Sequence, residues 1–95
     1  MKMEFSGKIW YWRGPAPFFF VAVPKQESHD IKAISGLVTY GWGVIPATVQ
    51  IGQTEWTTSL FPKDGSYLVP IKVSVRKAEN LEEGDKVNIR LEVRL

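Results

Sequence analysis

The closing 28 residues, LVPIKVSVRKAENLEEGDKVNIRLEVRL, constrain the fold more than any other part of the chain. Val87, Ile89, Leu91, Val93 and Leu95 alternate with Lys86, Asn88, Arg90, Glu92 and Arg94. Successive side chains of a strand point to opposite faces, so this pattern predicts a strand with one buried face and one wet face. Upstream, Tyr67 to Ile71 reads as a short strand holding Pro70, and residues 72–79, KVSVRKAE, as a short helix with Asn80 at its exit. Leu81 tucks back, and Glu82-Glu83-Gly84-Asp85 turns the chain into the last strand.

Most of the remaining sequence also reads as strand. Residues 3–13 alternate loosely, with Met3, Phe5, Ile9 and Tyr11 on one side and Glu4, Ser6, Lys8, Trp10 and Trp12 on the other. Arg13-Gly14-Pro15-Ala16-Pro17 cannot continue a ladder. Phe18 to Val23 is an apolar run short enough for a buried strand. Pro24 suits a first helical turn, and Ile31 and Ile34 in residues 25–35 have helical spacing, with Gly36 as a stop. Leu37 to Ile51 returns to strand character, broken by Gly41, Gly43 and Pro46, which suggests bulges or a sharp bend. Gly52-Gln53 fits a hairpin loop leading into Glu55–Phe61, and Pro62-Lys63-Asp64-Gly65 is a further turn.

About six or seven strands and two short helices, with no long parallel crossover, predict a mainly β domain: a small β-barrel capped by helices. Phe20–Pro24, a helix and a strand follow the same order as Tyr67–Pro70, a helix and a strand. The two prolines stand 46 residues apart, close to half of the 95 residues. An internal pseudo-two-fold repeat is the expectation.

Length and composition fit one domain over residues 1–95. Four Trp and five Phe supply large buried areas for a short chain. The absence of cysteine excludes disulfides, zinc–thiolate sites and thiol nucleophiles. Net charge is +2, and residues 1–70 hold six of the twelve cations and five of the ten anions. Neither part is a basic arm, so bulk charge gives no case for nucleic acid or an anionic membrane. Glu4 and Lys8 break the apolar character of the N-terminus, which argues against a signal peptide or anchor. A cytoplasmic location is the default expectation.

The ordered set Phe5-Ser6-Gly7, Val21-Ala22-Val23-Pro24, Ser59-Leu60-Phe61-Pro62, Gly65, Leu68-Val69-Pro70-Ile71-Lys72, Val75-Arg76-Lys77-Ala78 and Gly84-Asp85 resembles the family called domain of unknown function nineteen-oh-five. That resemblance implies a double-split β-barrel, an architecture shared with AbrB- and MazE-like transcription factors. In those factors two chains each contribute one strand–helix–strand unit; here one chain would contribute both. The resemblance carries over no catalytic residues, and some relatives append a second domain after the barrel.

Lys72, Arg76 and Lys77 open the second helix, while Glu79, Glu82, Glu83 and Asp85 follow it. Helix dipoles favour the opposite order. A cationic helix start is a candidate anion site, set against a plainer role in which Arg76 reaches Glu83 or Asp85 and braces the turn. Trp10 and Trp12 point the same way and form a candidate aromatic surface, although core packing accounts for most aromatic residues in so small a barrel. Lys86, Arg90 and Arg94 could extend a basic patch, or simply protect a strand from edge pairing. His29 is the only histidine and reads as solvated, since no second histidine or cysteine completes a transition-metal site. Ser28 is no partner for it, because adjacent helical residues diverge. Gly41-Trp42-Gly43 lacks the later glycine and following helix of a phosphate loop.

No catalytic constellation emerges, and no cofactor is implied. The expectation is a non-enzymatic binding module, monomeric or homodimeric, for a small anionic ligand or a protein partner. An AbrB-like DNA-binding protein and an accessory protein-interaction domain are the alternatives.

Overall fold

A computed structural model describes residues 1–34 and 43–94. The elements are β1 (Lys2–Lys8), β2 (Trp10–Trp12), β3 (Phe18–Ala22), α1 (Lys25–Ala33), β4 (Ile45–Ile51), β5 (Thr54–Lys63), β6 (Ser66–Ile71), α2 (Val73–Glu79) and β7 (Lys86–Val93). Among the described residues the protein is mainly β, with two short helices, as its sequence pattern predicts. The strand expected from residue 37 is described from Ile45 onward. Its earlier part, including Gly41 and Trp42, and Leu95 lie outside the described residues.

The seven strands among the described residues pair antiparallel in one curled, barrel-like sheet, in the order β1-β7-β4-β5-β6-β3-β2. Its two end strands, β1 and β2, are consecutive stretches of one path separated only by Ile9. That path lies against β7 over Lys2–Lys8 and against β3 over Trp10–Trp12. β5 divides in the same way, opposite β4 over residues 54–60 and opposite β6 over residues 61–63. Between the divided strands lie two strand–helix–strand units, β3-α1-β4 and β6-α2-β7. β3 pairs with β6 and β4 with β7, so each unit meets its counterpart. This pairing is the internal two-fold that the spacing of Pro24 and Pro70 predicts.

The Gly84–Asp85 turn holds the Ile9 junction. Ile9 N–H donates to the Asp85 carbonyl at 2.9 Å, and Gly84 N–H donates to the Ile9 carbonyl at 2.8 Å. Ile9 itself is fully buried among the side chains lining the inside of the curl. Val87, Ile89, Leu91 and Val93 line that interior and the alternate residues of β7 face out, as the alternation predicts. Ile31 of α1 and Val75 of α2 join the same core, so each helix is fastened by one deep aliphatic residue.

Two readings of the sequence need correction. The turn after β5 begins at Asp64, not Pro62: Asp64 (φ 51°) and Gly65 (φ 79°) both take positive φ, the requirement of a two-residue type I′ hairpin loop, while Pro62 stays in the ladder opposite Tyr67. β3 is not a fully buried strand. Only Val21 is fully enclosed, because Phe18 and Phe20 stand on the outer side of the sheet and Phe19 near the end of the curl.

Gly7 faces inward where β1 approaches β3. A Cβ there would lie 2.8 Å from Cγ1 of Val21, whose side chain is fully buried and cannot swing away. Replacing Gly7 by Val should therefore cost about 1–3 kcal/mol by overpacking. Urea unfolding against the outward control Ser6→Ala, expected within about 0.5 kcal/mol of wild type, measures this. Equal midpoints for the two variants would show that the approach of β1 to β3 is not tight.

Candidate functional site

The hairpin joining β2 to β3 places four aromatic residues on the outside of the sheet. Trp10 stands opposite Phe20 and Trp12 opposite Phe18, and residues in direct register share a face. The Phe18 and Phe20 rings lie 5.8 Å apart. Trp10 is 54% exposed and Trp12 40%, so these large side chains are not spent on the core. The face continues across the sheet, since Phe20 is opposite Pro70, Ala22 is opposite Leu68, and Leu68 is opposite Phe61. Leu68 is buried but stands outside the core cluster, in keeping with its outward side; Phe61 is exposed. At one border the Lys63 ammonium sits 4.5 Å from the Trp12 ring centroid, a cation–π contact.

The opposite faces of β2 and β3 carry Tyr11 and Phe19, with ring centroids 4.5 Å apart. Here α2 lays the Arg76 guanidinium on Phe19, 3.6 Å from the ring centroid. Arg76 Nη1 also donates to the Leu81 carbonyl at 3.5 Å, while its Nε is buried without a partner among the described residues. Neither acid considered as its partner receives it. Glu83 pairs with Arg13 at 3.1 Å, and Asp85 accepts the Glu82 N–H at 2.8 Å. Lys72 occupies the N-cap position of α2 and, like Lys77, is exposed. The expected cationic helix start is corrected: α2 is only seven residues long, so Arg76 and Lys77 fall in its last turn, where the helix dipole favours cations. The three candidate anion ligands, Lys72, Arg76 and Lys77, line neither of the two clefts described next.

A groove of about 540 Å³ runs over the outside of β1, β7, β4 and β5. Its charges alternate, with Lys2 opposite Glu92, and Glu4 opposite Arg90 and bonded to it at 3.2 Å. The second cleft, of about 390 Å³, lies between α1 and the β5–β6 hairpin. Lys25, His29 and Lys32 reach it from α1, and Lys63, Asp64 and Ser66 from the hairpin. Ser28 and Tyr67 form the floor. The Ser28 hydroxyl donates to the Val23 carbonyl and accepts the Tyr67 N–H, each at 3.1 Å, so this buried polar group is fully used in joining α1 to the sheet. Burial pushes the Tyr67 phenol above its ordinary value of 10.0 and keeps it neutral.

Sequence reading takes His29 as a solvated residue and misses this cleft. A usable signal is nevertheless present: positions 25, 29 and 32 share one side of a helix, and Glu27 and Asp30 fall on the other. What the sequence cannot display is that a hairpin more than thirty positions further on closes over that side.

Fold and surface together define a small, mainly β, barrel-like domain with an exposed aromatic face and a lysine-lined cleft. The family model described as "Domain of unknown function (DUF1905)" matches residues 5–91, and the chain belongs to that family. No curated protein matches the chain. Among the described residues no helix is long and apolar enough to cross a membrane.

Two measurements test the site's supports. Arg76→Ala removes both the ring contact and the bond to Leu81, and should lower stability by about 1–3 kcal/mol in chemical unfolding; a change below about 0.5 kcal/mol would mean the stacked guanidinium contributes little. For Tyr67, the folded state holds its proton above pH 10 more tightly than the unfolded chain does. Its contribution is thus fully present below the ordinary value and is lost as pH rises through the folded one. Tyr67→Phe lacks this loss, so the stability gap between variant and wild type should move in the variant's favour as pH climbs past 10. A gap independent of pH would contradict it.

Proposed function

We propose that this domain is a non-enzymatic binding module that docks another protein on the outer aromatic face of β2 and β3. The observation that carries this reading is the array of Trp10, Trp12, Phe18 and Phe20, with both tryptophans substantially exposed. Aromatic side chains supply most of the energy at protein interfaces, because each buries a large area at small entropic cost. Leaving two tryptophans in water, when the core of so small a domain could use them, is understandable if a partner covers them. Lys63, held over Trp12, places a cation at the rim, where interfaces are polar.

The DNA-binding alternative draws less support. Duplex recognition needs a concentrated basic footprint, and the outer sheet of β1, β7, β4 and β5 instead alternates cations with carboxylates.

Site-specific photocrosslinking tests the docking face. A photoreactive side chain at Phe20 should yield a discrete heteromeric product in cells that express the protein. The same group at Gln50, in the charged outer groove, should not. Trp10→Ser with Trp12→Ser should abolish the Phe20 product while circular dichroism stays unchanged. Equal products from both positions, products insensitive to the tryptophan changes, or a product only with a second copy of this chain would each defeat the proposed heteromeric docking.

A further inference from the structure

We propose that the cleft between α1 and the β5–β6 hairpin is a binding site for a small phosphate-bearing molecule, bordering the aromatic docking face at Lys63. Lys25 and Lys32 line it from one side of α1, with His29 between them, and Lys63 lines the opposite wall, its ammonium at the margin over Trp12. These groups come from two elements that only the folded chain brings together. Among the described residues, the ion pairs are Arg13–Glu83 and Arg90–Glu4, so the three lysines have no carboxylate within bonding distance. Among the described residues Asp64 is the one acid lining the cleft. Lys25 and Lys32 outnumber Asp64, and Lys63 adds a third cation at the margin, a positive surplus that suits a phosphate group. The larger outer groove, with its alternating charges, offers no such surplus.

Two further features suit an oxyanion. α1 starts at the rim with Pro24 in the N-cap position, which provides no side-chain acceptor for the first-turn N–H groups. The His29 imidazole offers an N–H donor beside the lysines even when neutral. At about 390 Å³ the cleft is larger than a bare phosphate requires and fits a small phosphorylated metabolite. Ser28 is not a ligand, because its hydroxyl already serves Val23 and Tyr67.

The test is an NMR titration of the labelled full chain with inorganic phosphate, and in a second arm with glycerol phosphate, at ionic strength held constant with chloride. Saturable shifts are expected at Lys25, His29 and Ser66. Lys25→Gln with Lys32→Gln should bind at least about tenfold more weakly, and both positions are exposed, so the fold should survive. Lys72→Gln with Lys77→Gln, at the N-cap and in the last turn of α2, should bind like wild type. Non-saturating shifts, an unchanged affinity in the α1 variant, or a loss confined to the α2 variant would overturn the assignment. Glycerol phosphate should bind more tightly than inorganic phosphate; equal affinity would overturn the choice of a phosphorylated molecule as ligand.

Discussion

Everything outside and inside this domain depends on the pair of backbone hydrogen bonds between Ile9 and the Gly84–Asp85 turn. Ordinary antiparallel sheets have two free edges, each a row of unpaired N–H and C=O groups. Here the strand at one end of the sheet continues into the strand at the other end, and the transfer takes place at Ile9. A residue leaving one ladder for another would strand a buried donor and acceptor, which costs about 1–3 kcal/mol for each unsatisfied group. The turn meets both. It does so with backbone atoms, so its work requires a geometry more than a particular side chain. The adjacent Arg13–Glu83 pair joins the same two segments from the surface, but such exposed pairs contribute little.

The junction also decides what the aromatic residues can do. Alternation runs unbroken from β1 through Ile9 into β2: Phe5 and Ile9 face the core, whereas Lys8, Trp10 and Trp12 face water. A shift of one residue at Ile9 would exchange the two sets and push both tryptophans into the interior. Their exposure is thus a consequence of the same register that buries Ile9. Among the described residues the core is filled without them by nineteen buried side chains, Trp56 included. Trp56 keeps its indole N–H buried without a partner among the described residues, an unfavourable feature that its packing must offset.

Much of this was legible in the sequence where the signal is local. Alternation in β7, Pro24 before α1 and Asn80 at the exit of α2 reflect neighbouring residues, the internal repeat follows from the order of such local elements, and each is found in the structure. Trp10 and Trp12 could be assigned to one side by parity alone. Their union with Phe18 and Phe20 could not, because it depends on hairpin register. Arg76 illustrates the same limit more sharply. Its charge suggested acids a few residues away, yet it lies on Phe19, more than fifty positions earlier. A guanidinium can stack on a ring as readily as pair with a carboxylate, and only the docking of α2 over the end of the curl selects between them. The lysine cleft was hidden for the same reason, since one wall is a helix and the other a distant hairpin.

The internal two-fold is a symmetry of backbone, and the chemistry laid on it is one-sided. Hairpins β2–β3 and β5–β6 are counterparts and lie side by side through the β3–β6 pairing. On its outer side the first carries Trp10, Trp12, Phe18 and Phe20; the second carries Phe61, Lys63, Ser66 and Leu68. The helices differ likewise. α1 gathers its cations on a side that faces a cleft, while the central cation of α2 is folded down onto Phe19. A partner related by the same two-fold would need equal surfaces at both hairpins and would find only one. Lys63 belongs to both features, lining the cleft and covering Trp12, so occupancy of the cleft would alter the cation at the border of the aromatic face. The asymmetry leaves the aromatic face and the lysine cleft side by side on one part of the surface, meeting at Lys63.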